Sequence, residues 1–174
     1  YRRGEFDKAA AHFQAAIDTL TRRNPNPRDG EAFYNLGLTL KAMGRLVEAY
    51  GKLYKATWDF AWQTAAFYAL AEIDCRRRDF ETALDHLDRS LRTNAMNLKA
   101  RNLKAAALRH LGRLGEAAAV IEGTRTLDPL DMGSRNEAVL LSRARGDDAE
   151  AFAQREALAM MMDVPHWLSR IQAH

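Results

Sequence analysis

The side chains best able to do chemistry in this sequence are five histidines and one cysteine. Proton transfer or metal binding needs such a residue beside another His, Cys, Asp or Glu at a suitable spacing. Asp85 and His86 are adjacent, so on a helix they point apart, and no histidine lies at a metal-ligand spacing from a second such residue. We therefore predict ordinary surface or half-buried histidines, with no metal site, no cofactor and no catalytic residue. The histidines are His12, His86, His110, His166 and His174.

Cys75 is the single cysteine, so no internal disulfide can form. The arginines at 76–78 could lower the pKa of its thiol, but no histidine is near enough in sequence to activate it. The sequence also contains no glycine-rich phosphate loop and no G-x-S-x-G motif. We predict an inert cysteine and a protein that is not an enzyme.

The overall composition indicates a folded protein without a nucleic-acid-binding or membrane-spanning character. Of the 174 residues, 47% are hydrophobic and 28% charged, and the net charge is +3. The basic residues are dispersed, whereas nucleic-acid binding favours a concentrated stripe, and no run of 18 apolar residues is present. We expect no nucleic-acid partner, no membrane association and a cytoplasmic location. Because the chain does not begin with Met, we expect it to be a fragment of a larger protein.

The elements that would position any site are repeated at a fixed interval. Ala49, Ala83, Ala117 and Ala151 follow one another at a spacing of 34 residues. A methyl group there lets two helices approach closely, and large apolar residues between these alanines would fill the space around them. Gly44 and Gly112 lie in the intervening turns, where a left-handed backbone is most easily adopted by glycine.

This period and these small residues resemble the tetratricopeptide repeat. The resemblance implies an all-α, right-handed α-solenoid of antiparallel helix pairs, with about four and a half repeats. In repeat one it places the helices near residues 31–43 and 46–58. We predict one domain over residues 1–174, divided as follows: 1–23, the second half of a truncated repeat; 30–63, 64–97 and 98–131, full repeats; 132–165, a degenerate capping repeat; 166–174, a C-terminal helix.

The resemblance also implies a binding surface, because the first helix of each tetratricopeptide pair lines a concave groove. We predict that this groove binds a protein, a peptide or another domain of the same chain. The Lys and Asn clamp that one family branch uses for peptide carboxylates can be matched only at Asn35 or Lys99. The residues predicted on the concave face are Tyr34, Asn35, Lys41, Tyr68, Glu72, Arg76, Lys99, Asn102, Arg109 and Arg143.

Three cations of the concave face share one repeat position: Lys41, Arg109 and Arg143. One hypothesis is that they form a basic row that receives an acidic peptide, loop or domain. The alternative is that three glutamates neutralise the row, namely Glu31, Glu72 and Glu137.

A second candidate surface is an aromatic edge at Trp58 and Trp62, which the repeat pattern assigns to the connection between repeats one and two. These side chains could form an exposed platform for a partner domain or a sugar ring. The alternative is that they pack over the helix ends.

The half-repeat at the start of the chain carries an apolar face without its usual upstream neighbour. We expect this face to be covered by another domain or by self-association. More weakly, the stretches YNLGLTLKAMGR and YKATWDFAWQ resemble the repeat region of large bacterial multidomain proteins that carry an uncharacterised β-rich domain. That resemblance implies an alternative function, an accessory scaffold region of a carbohydrate-active enzyme whose catalytic domain lies outside this segment.

Overall fold

A computed structural model of the chain describes residues 5–22, 24 and 27–162, with side chains through residue 159. This part of the chain is all-α, as predicted, and contains no β-strand. It divides into two compact units, and the division falls between Asn97 and Leu98. The helices are α1 (Phe6–Thr21), α2 (Glu31–Ala42), α3 (Leu46–Ala56), α4 (Phe60–Arg76), α5 (Phe80–Thr93), α6 (Leu98–His110), α7 (Leu114–Leu127), α8 (Met132–Ala144) and α9 (Asp148–Met162).

The first unit contains two helix hairpins, α2–α3 and α4–α5, preceded by α1. Gly44 ends the turn of the first hairpin with a φ of +77°, as the sequence predicted. Arg78 takes the same left-handed conformation in the second hairpin, with a φ of 63°. Asp79 then caps α5 by accepting a hydrogen bond from the backbone N–H of Thr82 at 3.2 Å.

The repeated alanines are buried in each hairpin, and Ala49 and Ala83 of the first unit are fully buried. A close approach between helices occurs at Gly37 of α2, where an added Cβ atom would lie 2.6 Å from Cγ of the buried Leu53. The α2–α3 hairpin therefore requires glycine at 37 for steric reasons.

The second unit repeats this plan with α6–α7 and α8–α9. Ala117 is fully buried and Ala151 is 2% exposed. Gly112 and Gly146 supply the left-handed turns, with φ values of +75° and +80°.

Helix bounds agree with the repeat pattern except at α4. The structure has α2 and α3 within two residues of their predicted ends, but α4 begins at Phe60, four residues before the boundary predicted at 64. Asp59 explains the early start, because its carboxylate accepts the backbone N–H of Ala61 at 3.0 Å and caps the helix. The predicted C-terminal helix at 166–174 lies outside the described residues.

Candidate functional site

In the first unit, the predicted concave face and the predicted aromatic edge meet in one aromatic pair. The rings of Tyr34 on α2 and Trp62 on α4 stack with centroids 4.9 Å apart and an interplanar angle of 30°. Trp62 lies in the first turn of α4, so its assignment to the connection between repeats was wrong. Both side chains remain half-exposed, which leaves ring surface accessible on the face that α2 and α4 share.

Three further predicted residues of this face form a connected polar group. Lys41 on α2 makes an ion pair with Glu72 on α4, and both side chains are largely covered. Burial raises the pKa of Tyr68 to about 12, and the neighbouring Glu72 carboxylate adds to the effect by its charge and by a hydrogen bond. Tyr68 therefore stays neutral and able to donate its O–H throughout the physiological pH range.

The remaining predicted residues of this face are Asn35 and Arg76, which differ in their hydrogen bonding and exposure. Asn35 donates its side-chain amide to the backbone oxygen of Glu31 at 3.0 Å, which leaves its own carbonyl oxygen for other donors. Arg76, the last residue of α4, is exposed. Beside it, burial and the charges of Asp74 and Glu72 raise the pKa of the Cys75 thiol to about 11, so the arginines at 76–78 do not activate it.

Trp58 lies apart from this face, in the turn before α4. Its side chain is 61% exposed, and the Lys55 ammonium lies 3.6 Å from the ring centroid. Phe60 next to it is 79% exposed. The two tryptophans of the predicted edge therefore have different surroundings. Trp62 stacks on Tyr34 at the α2–α4 face, whereas Trp58 is exposed in the turn beneath Lys55.

In the second unit, Asn102 and Arg109 project from α6 toward α8. Asn102 donates to the Asp131 carboxylate at 2.8 Å. Although burial alone would raise the pKa of Asp131, the hydrogen bonds from Asn102 and Ser134 outweigh it and lower that pKa. Arg109 Nε lies 3.2 Å from Glu137 Oε2, and both side chains are less than one-fifth exposed.

The pairing of these cations favours the alternative stated for the basic row. Lys41 is neutralised by Glu72 in the first unit, and Arg109 by Glu137 in the second. Arg143, at the end of α8, and Lys99, in the first turn of α6, are exposed.

The structure contains one polar cluster that the sequence analysis missed. His86 is buried, not at the surface, and its Nδ1 lies 2.7 Å from Asp74 Oδ2; each side chain is at most 5% exposed. The His86 ring also stacks on Phe67, and Tyr50 hydrogen-bonds to Asp74. Burial first, and then the Asp74 charge, raise the pKa of Tyr50 to about 12.

A repeat-based signal could have found this cluster. Asp74 and His86 are 12 residues apart in sequence, and moving 68 residues along the chain gives Ser142 and Gln154, which are also hydrogen-bonded, at 3.3 Å. The same two repeat positions are therefore both polar in repeats two and four. In repeat three they are both apolar, as Leu108 and Val120.

Among the residues that the structure describes, no three His, Cys, Asp or Glu side chains are close enough to hold a metal ion. A search of the same residues finds no helix that is both long and apolar enough to cross a membrane.

Comparison with known protein families agrees with this architecture. The tetratricopeptide repeat family matches residues 1–63 and 68–131, which is more than half of the chain. The chain belongs to the tetratricopeptide repeat family.

Three solved structures illustrate the similarity of this chain to known proteins of the same fold. MamA residues 41 to the end from Desulfovibrio magneticus RS-1 is 16% identical, with a TM-score of 0.80, and covers 92% of this chain and 88% of that one. YrrB, described as having an unusual peptide-binding site, is 19% identical over 98% and 86%, with a TM-score of 0.71. The first repeat domain of Spaghetti, solved with an HSP90 peptide, is 21% identical over 67% and 93%, with a TM-score of 0.62. At these identities the likeness establishes the fold alone.

Proposed function

We propose that this chain is a non-catalytic scaffold for protein interaction and that the α2–α4 face of the first unit binds a peptide segment. The observation that carries the proposal is the stacked, half-exposed pair of Tyr34 and Trp62. Tyrosine and tryptophan dominate the binding energy of protein interfaces because they bring large, rigid apolar area with few rotatable bonds.

The polar groups around the pair favour an extended segment. The carbonyl oxygen of Asn35 and the hydroxyl oxygen of Tyr68, whose O–H is donated to Glu72, can each accept a hydrogen bond from a peptide backbone N–H beside the rings. From Tyr34 to Lys41 is two turns of α2, about 10 Å, which three extended residues can span. The Lys41–Glu72 pair closes one end of this face without net charge, so we expect an apolar or aromatic peptide side chain against Trp62 rather than an acidic tail.

Proteins of the same fold support a peptide as the ligand class. One is described as having a peptide-binding site, and another was solved bound to an HSP90 peptide. In the second unit, we extend the proposal to the α6–α8 face, with Lys99 and Arg143 as its accessible cations and Asn102 and Arg109 as positioned side chains. The carbohydrate-enzyme alternative rests on the sequence resemblance alone.

The test begins with peptides selected from a random display library against the whole chain, since no natural ligand is assumed. Replacing Trp62 with Ala should weaken binding of the selected peptides by about tenfold or more, as expected for a central aromatic contact. Trp58→Ala is the matched control, because that ring is exposed and lies off the face, and we expect an unchanged affinity. Selected peptides that bind the Trp62→Ala variant as tightly as wild type would overturn the proposal.

A further inference from the structure

Three consecutive arginines lie at the end of α4 and in the turn to α5, in the first unit. Arg76 is the last residue of α4, Arg77 is its C-cap, and Arg78 follows in the left-handed conformation. All three side chains are exposed. We call this group the arginine tip. It contains neither Asn35 nor Lys99, the two residues that matched the peptide-carboxylate clamp of the family.

The backbone position of Arg78 is held by glycine in the other hairpins that the structure describes. Gly44, Gly112 and Gly146 have φ values of +77°, +75° and +80° at this point of the turn, and Arg78 has 63°. A left-handed backbone disfavours a residue with a Cβ atom, so the turn itself gives no reason for an arginine there. The side chain of Arg78 is therefore not explained by the fold.

The arginine side chains are not needed to complete the end of α4 either. The backbone N–H groups of residues 77, 78 and 79 donate to the carbonyl oxygens of Ile73, Cys75 and Asp74, at 3.0, 3.1 and 3.0 Å respectively. The turn thus satisfies the last carbonyls of the helix by itself. The guanidinium of Arg77 lies 5.2 Å from the centroid of the Tyr50 ring, a contact that keeps its charge at the surface beside α3.

Arginines at two other turns are neutralised by glutamates, in contrast to the arginine tip. Arg45 pairs with Glu48, and Arg113 with Glu116, each through two hydrogen bonds. Within the described part of the chain, no arginine of the tip takes part in an ion pair.

The carboxylates closest to the tip in sequence do not cancel its charge. Glu72 pairs with Lys41, and Asp74 contacts His86. Over residues 76–81, three arginines are accompanied by two carboxylates, one of which, Asp79, caps α5. An excess of positive charge therefore remains at this end of α4.

The arginine tip lies at one end of the proposed peptide-binding face. Trp62 and Arg76 are 14 residues apart on α4, which is nearly four complete turns. They therefore lie on the same side of the helix, about 21 Å apart along its axis. The neutral Lys41–Glu72 pair lies between them. An extended peptide spans this distance with about six or seven residues.

We propose that the arginine tip binds an acidic stretch of the same peptide whose apolar side chain contacts Trp62; this inference rests on the proposed function of the α2–α4 face. The peptide has two parts: an apolar residue at the stacked rings and, about six or seven residues away, a short run of Asp or Glu at the tip. Guanidinium groups suit this role because they form paired hydrogen bonds with carboxylates. Because exposed charge pairs are individually weak, the tip contributes specificity and faster association more than affinity.

The test uses peptides of about seven residues selected by display against the whole chain, a length that matches the face. Each peptide is extended at one end or the other by Glu-Glu-Glu, or by Ser-Ser-Ser as the neutral control, and binding is followed by fluorescence anisotropy. At about 50 mM salt, we expect the glutamates to tighten binding about fivefold at one end of the peptide only. The gain should disappear at about 0.5 M salt, whereas the serines should have no effect.

Variants of the chain assign the gain to the tip. The combined substitution Arg76→Gln, Arg77→Gln and Arg78→Gly should remove the gain and leave the affinity for the unextended peptide unchanged. Arg92→Gln is the matched control, because Arg92 is an exposed arginine at the opposite end of α5, and it should retain the gain. Arg78→Gly alone should reduce the gain, yet its circular dichroism melting temperature should be equal or higher, since glycine adopts the left-handed turn more easily. A lower melting temperature would assign Arg78 to the fold and contradict the proposal.

The possible failures are distinguishable. If binding depends on Trp62 but the glutamates give no gain at either end, or an equal gain in the combined variant, this inference is overturned and the proposed function remains. If the selected peptides bind independently of Trp62, the proposed function fails and this inference fails with it. Binding of a labelled single-stranded DNA that the combined variant abolishes, without any gain from glutamates, would assign the tip to a nucleic acid and reject the acidic peptide.

Discussion

The buried pair of Asp74 and His86 gives the sharpest prediction about stability. Repeat three carries Leu108 and Val120 at the same two positions, so the chain itself supplies an apolar replacement. We compare three variants: Asp74→Leu, His86→Val and the double substitution. The comparison shows whether each polar residue stabilises the fold independently or only through its contact with the other.

The magnitudes follow from the burial of the pair. His86→Val leaves the buried Asp74 carboxyl group, 4% exposed, without its contact to the imidazole ring. A buried hydrogen-bonding group that loses its partner costs about 1–3 kcal/mol, and more when the group is charged. Asp74→Leu leaves a buried imidazole N–H unpaired, which costs about 1–3 kcal/mol. The double variant removes both members of the pair, and the group that loses a partner is the hydroxyl of the half-buried Tyr50. Apolar replacement of a whole buried pair is often neutral or stabilising.

The assay is urea unfolding of each variant, followed by circular dichroism to obtain the free energy of unfolding. We expect the double variant to be more stable than His86→Val alone by about 2 kcal/mol or more. Additive losses, with the double variant the least stable of the three, would refute the argument that the two residues act through each other.

Three further predictions concern single positions. Gly37→Ala should lower the free energy of unfolding by about 1–3 kcal/mol, because the added methyl group clashes with α3. Gly51→Ala should raise it by about 0.4–1 kcal/mol, because a Cβ atom there meets no atom within 4 Å. Urea unfolding measures both changes. Tyr50 and Tyr68 should titrate near pH 12 in an ultraviolet titration. Because their folded pKa values lie above the unfolded value, stability should fall as the pH rises from about 10 to 12; two ordinary tyrosine titrations would contradict this. Cys75 should react with iodoacetamide at pH 7 about a hundredfold more slowly than a free thiol, because burial raises its pKa, and an equal rate would contradict this effect of burial.

The repeat pattern predicted most of the fold because it depends on contacts that recur. The alanines at 49 and 83 and the left-handed Gly44 follow from helix packing and turn geometry alone. The start of α4 was not predicted, since it depends on Asp59 capping a helix in a stretch whose repeat position suggested a connection.

The candidate site was less accessible to sequence reasoning. Tyr34 was predicted on the concave face without a partner, because its stack with Trp62 depends on the extra turn at the start of α4 and on two side-chain rotamers. The charge of Lys41 suggested a ligand, and only the structure shows Glu72 in contact with it. The pairing of His86 was missed because its partner is 12 residues away on another helix, not next to it in sequence.

Binding at the α2–α4 face is tested most directly by the indole signals of the tryptophans. In a ¹⁵N–¹H spectrum of the whole chain, each indole N–H gives its own signal, which can be assigned with Trp→Phe variants. Addition of a display-selected peptide should shift the Trp62 signal strongly and saturably, together with the Tyr34 backbone amide, and leave Trp58 unchanged. A saturable shift of Trp58 with no change at Trp62 or Tyr34 would contradict the proposed site.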